Sequence, residues 1–168
     1  MSKLTIRTAD ERDVGLILDF IIKLAIYEGM GGQVTASAAD IRTSLFERKQ
    51  AEVIIGEVDG IPAAFALFFH NYSTFLGMAN LFLEDLFVRE RYRGSGIGAA
   101  MLRKLAQIAQ ERGCRRLDWL VLDDNVKGAA FYHKHGATAL TDRRVFRLDG
   151  KRLTAFAKHK SLETGGES

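Results

Sequence analysis

The spacing of apolar residues changes several times between Leu4 and Ala157, and each change marks a new element. Leu4–Arg7 reads as a short strand. Val14, Ile17, Leu18, Ile21, Ile22 and Ala25 recur at intervals of three and four, so residues 11–28 read as an amphipathic helix. Thr8 or Asp10 is placed to cap its start, and Gly29, Gly31 and Gly32 end it. Ser37 is placed to cap a second helix reaching about Arg48. Glu52–Val58 is strand-like, Asp59-Gly60 is a hairpin turn, and Pro62 opens the next strand, which runs to about Tyr72. Residues 79–88, ANLFLEDLFV, read as another apolar strand.

RERYRGSGIG then reads as a loop. Ile97, Met101, Leu105 and Ile108 put one apolar stripe on a helix that Gly113 ends. RLDWLVL (116–122) reads as a buried strand, and Asp123-Asp124-Asn125 as a turn into a short helix ending near His135-Gly136. Val145–Leu148 and Arg152–Ala157 flank Asp149-Gly150 as a second hairpin. The order βααβββαβαββ implies an α/β (α+β) fold: a mixed, mostly antiparallel central sheet with helices on both faces. No repeat or linker interrupts the chain, so residues 1–160 are expected to form a single domain and residues 161–168 a flexible tail.

Composition narrows the function. The chain has 168 residues, 47% of them hydrophobic and 27% charged, enough for a core without covalent staples. A single Cys, Cys114, excludes a disulfide framework and a Cys-rich zinc site, and the four histidines show no metal-ligand spacing. No apolar run approaches the ~18 residues of a membrane helix, and the first residues turn acidic where a signal peptide needs its apolar stretch. A cytoplasmic enzyme or binding domain is therefore expected, with no metal and no membrane partner. The net charge of +3 is unevenly spread: Arg89–Arg116 holds eight Lys or Arg against Glu90 and Glu111. A basic segment in a nearly balanced chain reads either as a solvated helix face or as a site for an anion.

Arg93-Gly94-Ser95-Gly96-Ile97-Gly98 sits inside that segment, between a strand and a helix. Glycines allow a tight turn that gathers backbone N–H groups, and the helix N-terminus adds unpaired donors and partial positive charge. That combination suits a phosphate or pyrophosphate, with Arg93 as a nearby cation, although a glycine turn can also be purely structural. A Walker loop would need Gly-Lys-Ser/Thr, which is missing. A dinucleotide fold would place the motif after the first strand and an acid at the end of the next, and Asp118 lies within its strand.

Arg-x-x-Gly-x-Gly after a central strand resembles the pyrophosphate loop of the GNAT superfamily of acyl-CoA N-acyltransferases. LAIYEGMGGQV (24–34), FLEDLFVRERYRGSGIG (82–98) and LVLDDNVKGAAFYHKHGA (120–137) are similar, in order, to its spermidine/spermine (diamine) and thialysine N-acetyltransferase branch. The resemblance runs from about Leu4 to Ala157. It implies a GNAT fold with a splayed gap between the fourth and fifth strands. Backbone groups of Leu86, Phe87 and Val88 would bond the pantetheine arm there, as an added strand would. Arg93, Gly94, Ser95, Gly96, Ile97 and Gly98 would hold the pyrophosphate of acetyl-CoA, the cosubstrate, and Asn125 would bond the pantetheine or cap the following helix.

Acetyl transfer to an amine needs a neutral nitrogen, donors for the tetrahedral oxyanion and a proton for the leaving thiolate. The resemblance implies Glu84 as general base, directly or through water, with burial raising its pKa; the alternative is a salt-bridged or edge-exposed carboxylate. Asp85 follows it and, on a regular strand, points to the other face, as a counter-charge to the amine. Tyr132 is the implied proton donor to sulfur, against a core aromatic stacked on Phe131. The backbone N–H near Val88 is the implied oxyanion donor. Tyr27 and Glu28 end the first helix where the family places acceptor contacts; a helix-end surface acid is the alternative.

The chain departs from polyamine-specific relatives. Gly31-Gly32 stands where they carry acids, and Asp142-Arg143-Arg144 where they often carry Trp. These departures weaken the case for a polycationic acceptor: the expectation is an acetyl-CoA-dependent transferase acting on a small primary amine (diamine, polyamine or amino-acid-like), with an amino-acid-like one favoured because its own carboxylate could pair with Arg143 or Arg144. A homodimer, aided by the C-terminal hairpin, is also expected. The competing readings are an acyl-CoA-binding sensor without turnover and a nucleic-acid-binding module. The latter has only Tyr92 to stack among its arginines.

Overall fold

The computed structural model describes residues 3–158, which fall into two compact units, one ending at Val126 and the other beginning at Lys127. The expected tail at 161–168 lies outside the described residues.

In the first unit, β1 (Leu4–Thr8), β2 (Glu52–Val58), β3 (Ile61–Ser73), β4 (Met78–Val88) and β5 (Leu117–Trp119) form one sheet in the order β1-β2-β3-β4-β5. All neighbours are antiparallel except β4 and β5, which run parallel. The β2–β3 hairpin turns on Asp59 and Gly60, both at positive φ (51° and 77°), as the Asp-Gly pair requires.

Alternation along β3 sends Phe65 to one face of the sheet and Ala64, Ala66 and Phe68 to the other. On the first face lies α1 (Val14–Tyr27), entered through a short turn capped by the Asp10 side chain. Its Phe20 stacks on Phe65 with centroids 5.0 Å apart and meets Phe87 edge-on. Burying a side chain like Phe20 stabilises the fold by about 2–3 kcal/mol. The second helix begins as α2 (Ala38–Ile41) with a Ser37–Asp40 capping box and continues in wider turns over Arg42–Glu47. Its Ile41 and Leu45 close the same core against Val53 and Ile55.

The opposite face is covered by α3 (Ile97–Glu111), whose Met101 and Leu105 are fully buried. The Met101 sulfur lies 2.9 Å from where a Cβ on Gly56 would stand, so this helix approaches the sheet closely there. Arg7 ties the N-terminal pieces together. It holds Asp13 through two bonds of 2.7 and 2.9 Å and Glu57 through one of 2.8 Å.

Two expected elements differ from the structure. The strand expected at 116–122 is only three residues long and half-buried, and Leu120 and Leu122 are exposed. The C-terminal hairpin is absent. In the second unit, after α4 (Val126–Lys134, of which only Val126 belongs to the first unit), residues 145–148 are irregular and α5 spans Gly150–Lys158. Leu153 and Phe156 stand three apart there among Ala and Lys, a spacing and composition that suit a helix as well as a strand.

Candidate active site

β4 changes its pairing part-way along. Leu81, Phe82 and Leu83 pair with Leu117, Asp118 and Trp119 of β5, and beyond Leu83 β4 runs on to Val88 paired with β3 alone among the described residues. The register with β3 slips at the same place: Phe68 faces Leu83 and Leu67 faces Asp85, which leaves Glu84 as the extra residue of a β-bulge. A one-residue slip inverts the alternation. Leu83 therefore shares the α3 face with Phe68, whereas Asp85 and Phe87 share the α1 face with Leu67 and Phe65.

The register also shows where the backbone groups point. Arg89 N–H donates to the Ala63 carbonyl at 2.9 Å, so Arg89–Ala63 and Phe87–Phe65 are the hydrogen-bonded pairs. The N–H and C=O groups of Leu86 and Val88 then face away from β3, toward the edge that β5 leaves. Those of Phe87 face β3. Of the three backbone positions expected to receive pantetheine, two face the open edge and Phe87 does not.

The open edge leads into the glycine loop. A short turn at Glu90–Tyr92 is followed by Gly94 at φ 76° and Gly96 at φ 85°. No neighbour lies within 4 Å of a Cβ at either position, so their φ values, not crowding, call for glycine. Ser95 Oγ donates to the Tyr92 carbonyl at 2.6 Å and tightens the turn. The first intrahelical bond of α3 runs from Ala100 N–H to the Gly96 carbonyl. The N–H groups of Ile97, Gly98 and Ala99 therefore have no intrahelical acceptor and form the donor end of the helix. Ile97 buries its side chain and anchors this end to the core. Arg93 is turned back: its Nε donates to the Val88 carbonyl at 2.9 Å, and its guanidinium lies over Tyr27 and Phe87.

Carboxylates gather beside the bulge. The burial expected for Glu84 falls on its neighbour instead: Glu84 is exposed, and Asp85 is the partly buried one. The bulge explains the exchange, because it turns Asp85 into the α1 face. Burial first, then the charges of Glu84 and Glu28, push the Asp85 carboxyl up to about 6. Glu28, at the C-cap of α1, is raised by burial and by Asp124. In the sequence Asp124 is marked as a turn residue, and its signal for this role is that it is a second acid before Asn125. The Asn125 N–H donates to the Leu122 carbonyl, which closes that turn.

Tyr132 lies in the second unit on α4, half-buried, with its ring edge-on to Phe131 at 5.1 Å. In that unit Arg143, one of the expected carboxylate partners, is exposed and 3.5 Å from Asp142. Among the described residues, no group of three or more His, Cys, Asp or Glu is placed to hold a metal, and no helix is long and apolar enough to cross a membrane.

The model of the acetyltransferase (GNAT) family matches residues 25–137, a stretch that takes in the bulge, the open edge and the glycine loop. The chain belongs to the GNAT family. It is an N-acetyltransferase of the acyltransferase class. A thialysine N-epsilon-acetyltransferase of Bos taurus is 34% identical over 169 residues, covering 94% of this chain and 99% of that protein. An L-ornithine N5-acetyltransferase of Arabidopsis thaliana is 40% identical over 100 residues, covering 60% of this chain and 44% of that protein. Among solved structures, an integron cassette protein from the mobile metagenome of V. cholerae superposes with a TM-score of 0.78 at 28% identity, covering 93% of this chain and 98% of that one. The GNAT assignment agrees with the branch that the three sequence motifs resemble, and the five-stranded sheet with its parallel β4–β5 pair agrees with the expected fold class.

Proposed function

We propose that this GNAT enzyme transfers an acetyl group from acetyl-CoA, the cosubstrate of its family, directly to a small cationic primary amine. The observation that carries the reading is the open edge of β4 running into a helix N-terminus through Gly94 and Gly96. The Leu86 backbone groups, and the Val88 carbonyl through the lone pair its bond to Arg93 leaves, would pair with the pantetheine amides, and the Ile97, Gly98 and Ala99 N–H groups would meet the pyrophosphate. In the Arg89–Arg116 segment Arg89 is bonded to Asp19 and Arg112 to Glu52, and the other basic residues suit the remaining phosphate charge.

Glu84, at the bulge beside this edge, is the proposed general base. It takes the ammonium proton directly or through one water. Asp85 supports it, because a carboxyl near 6 holds a proton closer to the operating pH than an ordinary one. The neutral nitrogen attacks the thioester carbonyl, Val88 N–H stabilises the oxyanion, the C–S bond then breaks, and the extra proton on nitrogen passes to water, from which Tyr132 regains the one it gives up. Tyr132 gives its proton to the departing sulfur; this role rests on the family-like Asn125–Tyr132 motif. Asn125 would bond the pantetheine arm.

Tyr27, Glu28 and Asp85 are proposed for the acceptor side. Glu28, Glu84, Asp85 and Asp124 together favour an amine with a second positive charge, in keeping with the thialysine and ornithine named for the relatives. A single domain over residues 1–160 belongs to the same reading, and the family match runs over residues 25–137 of it.

Release of CoA thiol from acetyl-CoA, followed with an amine panel, tests the reading. Thialysine, ornithine and spermidine should outpace tyramine, whose tail is uncharged, by at least about tenfold, a preference on the scale of one desolvated charge pair. Glu84→Gln and Tyr132→Phe should each lower turnover by about 10²-fold or more while CoA binding persists. Thiol release with none of these amines, or full activity in both variants, would contradict the assignment.

A further inference from the structure

Arg93 is gripped at two points that serve different substrates in the reading above. Its Nε is bonded to the Val88 carbonyl at 2.9 Å, at the end of β4. Its guanidinium carbon lies 4.4 Å from the Tyr27 ring centroid and 5.4 Å from that of Phe87. Phe87 is fixed in the core through Phe20, and Tyr27 is the last residue of α1. Arg93 is also the residue from which the glycine loop departs, with Gly94 at φ 76° directly after it. A loop with two glycines has many backbone conformations to lose on binding an anion. Holding the side chain at its first residue reduces that loss. A planar guanidinium over an aromatic face is held by the ring's charge distribution, which an ammonium on a flexible stem reproduces poorly. The contact uses the face of the Tyr27 ring and not its hydroxyl.

We propose that Tyr27 is a positioning residue for the phosphate loop: its ring holds Arg93, and through Arg93 it keeps Gly94–Gly98 arranged for the pyrophosphate of acyl-CoA. This rests on the loop being the acyl-CoA site. It goes beyond an acceptor contact, because it acts when no amine is present. It also makes the end of α1 common to both substrates, with Tyr27 turned to the loop and Glu28 to the carboxylate group beside the bulge.

Calorimetric titration of CoA, without amine, tests it on the full chain. Tyr27→Phe should bind within about twofold of wild type, because the ring face is kept. Tyr27→Leu should bind about three- to tenfold more weakly, and Arg93→Lys should lose a similar factor. Tyr27→Leu added to Arg93→Lys should cost almost nothing more, because the contact is already gone. Tyr27 is half-exposed at a helix end, and the thermal midpoint of each variant checks that it is folded. If Tyr27→Leu does not fold, Arg93→Lys decides: wild-type affinity there overturns the proposal. So does wild-type affinity in Tyr27→Leu, or a Tyr27→Leu loss of the same size in the Arg93→Lys background. Absence of heat with the wild type would count against the acyl-CoA site itself; binding by wild type and variants alike would remove only the role of Tyr27.

Discussion

β4 behaves as two strands joined at Glu84. Below the bulge, Leu81–Leu83 are paired on both sides, and Leu81 and Leu83 are almost wholly buried. Above it, Asp85–Val88 pair with β3 alone among the described residues and carry a carboxyl group raised to about 6. The lower half supplies rigidity, and the upper half presents its backbone to a substrate. One extra residue separates them. It reverses which side chains meet α1 and which backbone groups meet the open edge, so a support and a site come from a single strand.

Deleting Glu84 should break the distinction most severely. Without it Asp85 directly follows Leu83 and stays on the α1 face, but the bulge and the proposed base are gone, so turnover should fall by at least about 10²-fold while stability changes by less than about 1 kcal/mol. Urea unfolding and the thiol-release assay would show both effects. Leu83→Ala, in the supporting half, should cost about 2–4 kcal/mol in stability while CoA affinity of the folded protein stays within about twofold. Leu86→Ala, in the open half, should cost less than about 1.5 kcal/mol.

Asp85 gives the comparison a pH dependence. Its pKa is raised from an ordinary 3.8 to about 6, so the folded protein holds that proton more tightly than the unfolded chain. The group's contribution is most favourable below pH 3.8 and is lost as pH rises through 6. Asp85→Asn should therefore be more stable than wild type by about 1–2 kcal/mol at pH 7.5 and no more stable at pH 3.5. Thermal melts at the two pH values check this. Gly96→Ala should have a small effect on stability, about 1 kcal/mol from its positive φ, with CoA binding weakened about tenfold as the loop relaxes. A melt and a CoA titration measure the two parts.

Much of the framework could be read from residues close in sequence. Asp59-Gly60 announced its hairpin, Ser37 its cap, and Gly94 and Gly96 their loop, because each acts through local backbone preference. The bulge could not be read that way. Glu84-Asp85 looked odd on an apolar strand, but only the register against β3 shows that Asp85, and not Glu84, turns inward. The short β5 has a similar cause: Leu120 and Leu122 are apolar enough for a strand, and pairing with β4 ends before them. At the C-terminus, Leu153 and Phe156 satisfied both periods, and local composition did not choose between them. Asp124 and the Tyr27–Arg93 contact join residues distant in sequence, which no spacing rule brings together.

Residue-resolved amide hydrogen exchange with and without CoA tests most directly whether the open edge of β4 is the acyl-CoA cradle. Leu86 and Val88 N–H groups should exchange readily in the free protein and become protected when CoA is added, while Phe87, already bonded to β3, stays protected throughout. Protection of Leu86 and Val88 before CoA is added, or exchange that CoA leaves unchanged, would contradict it.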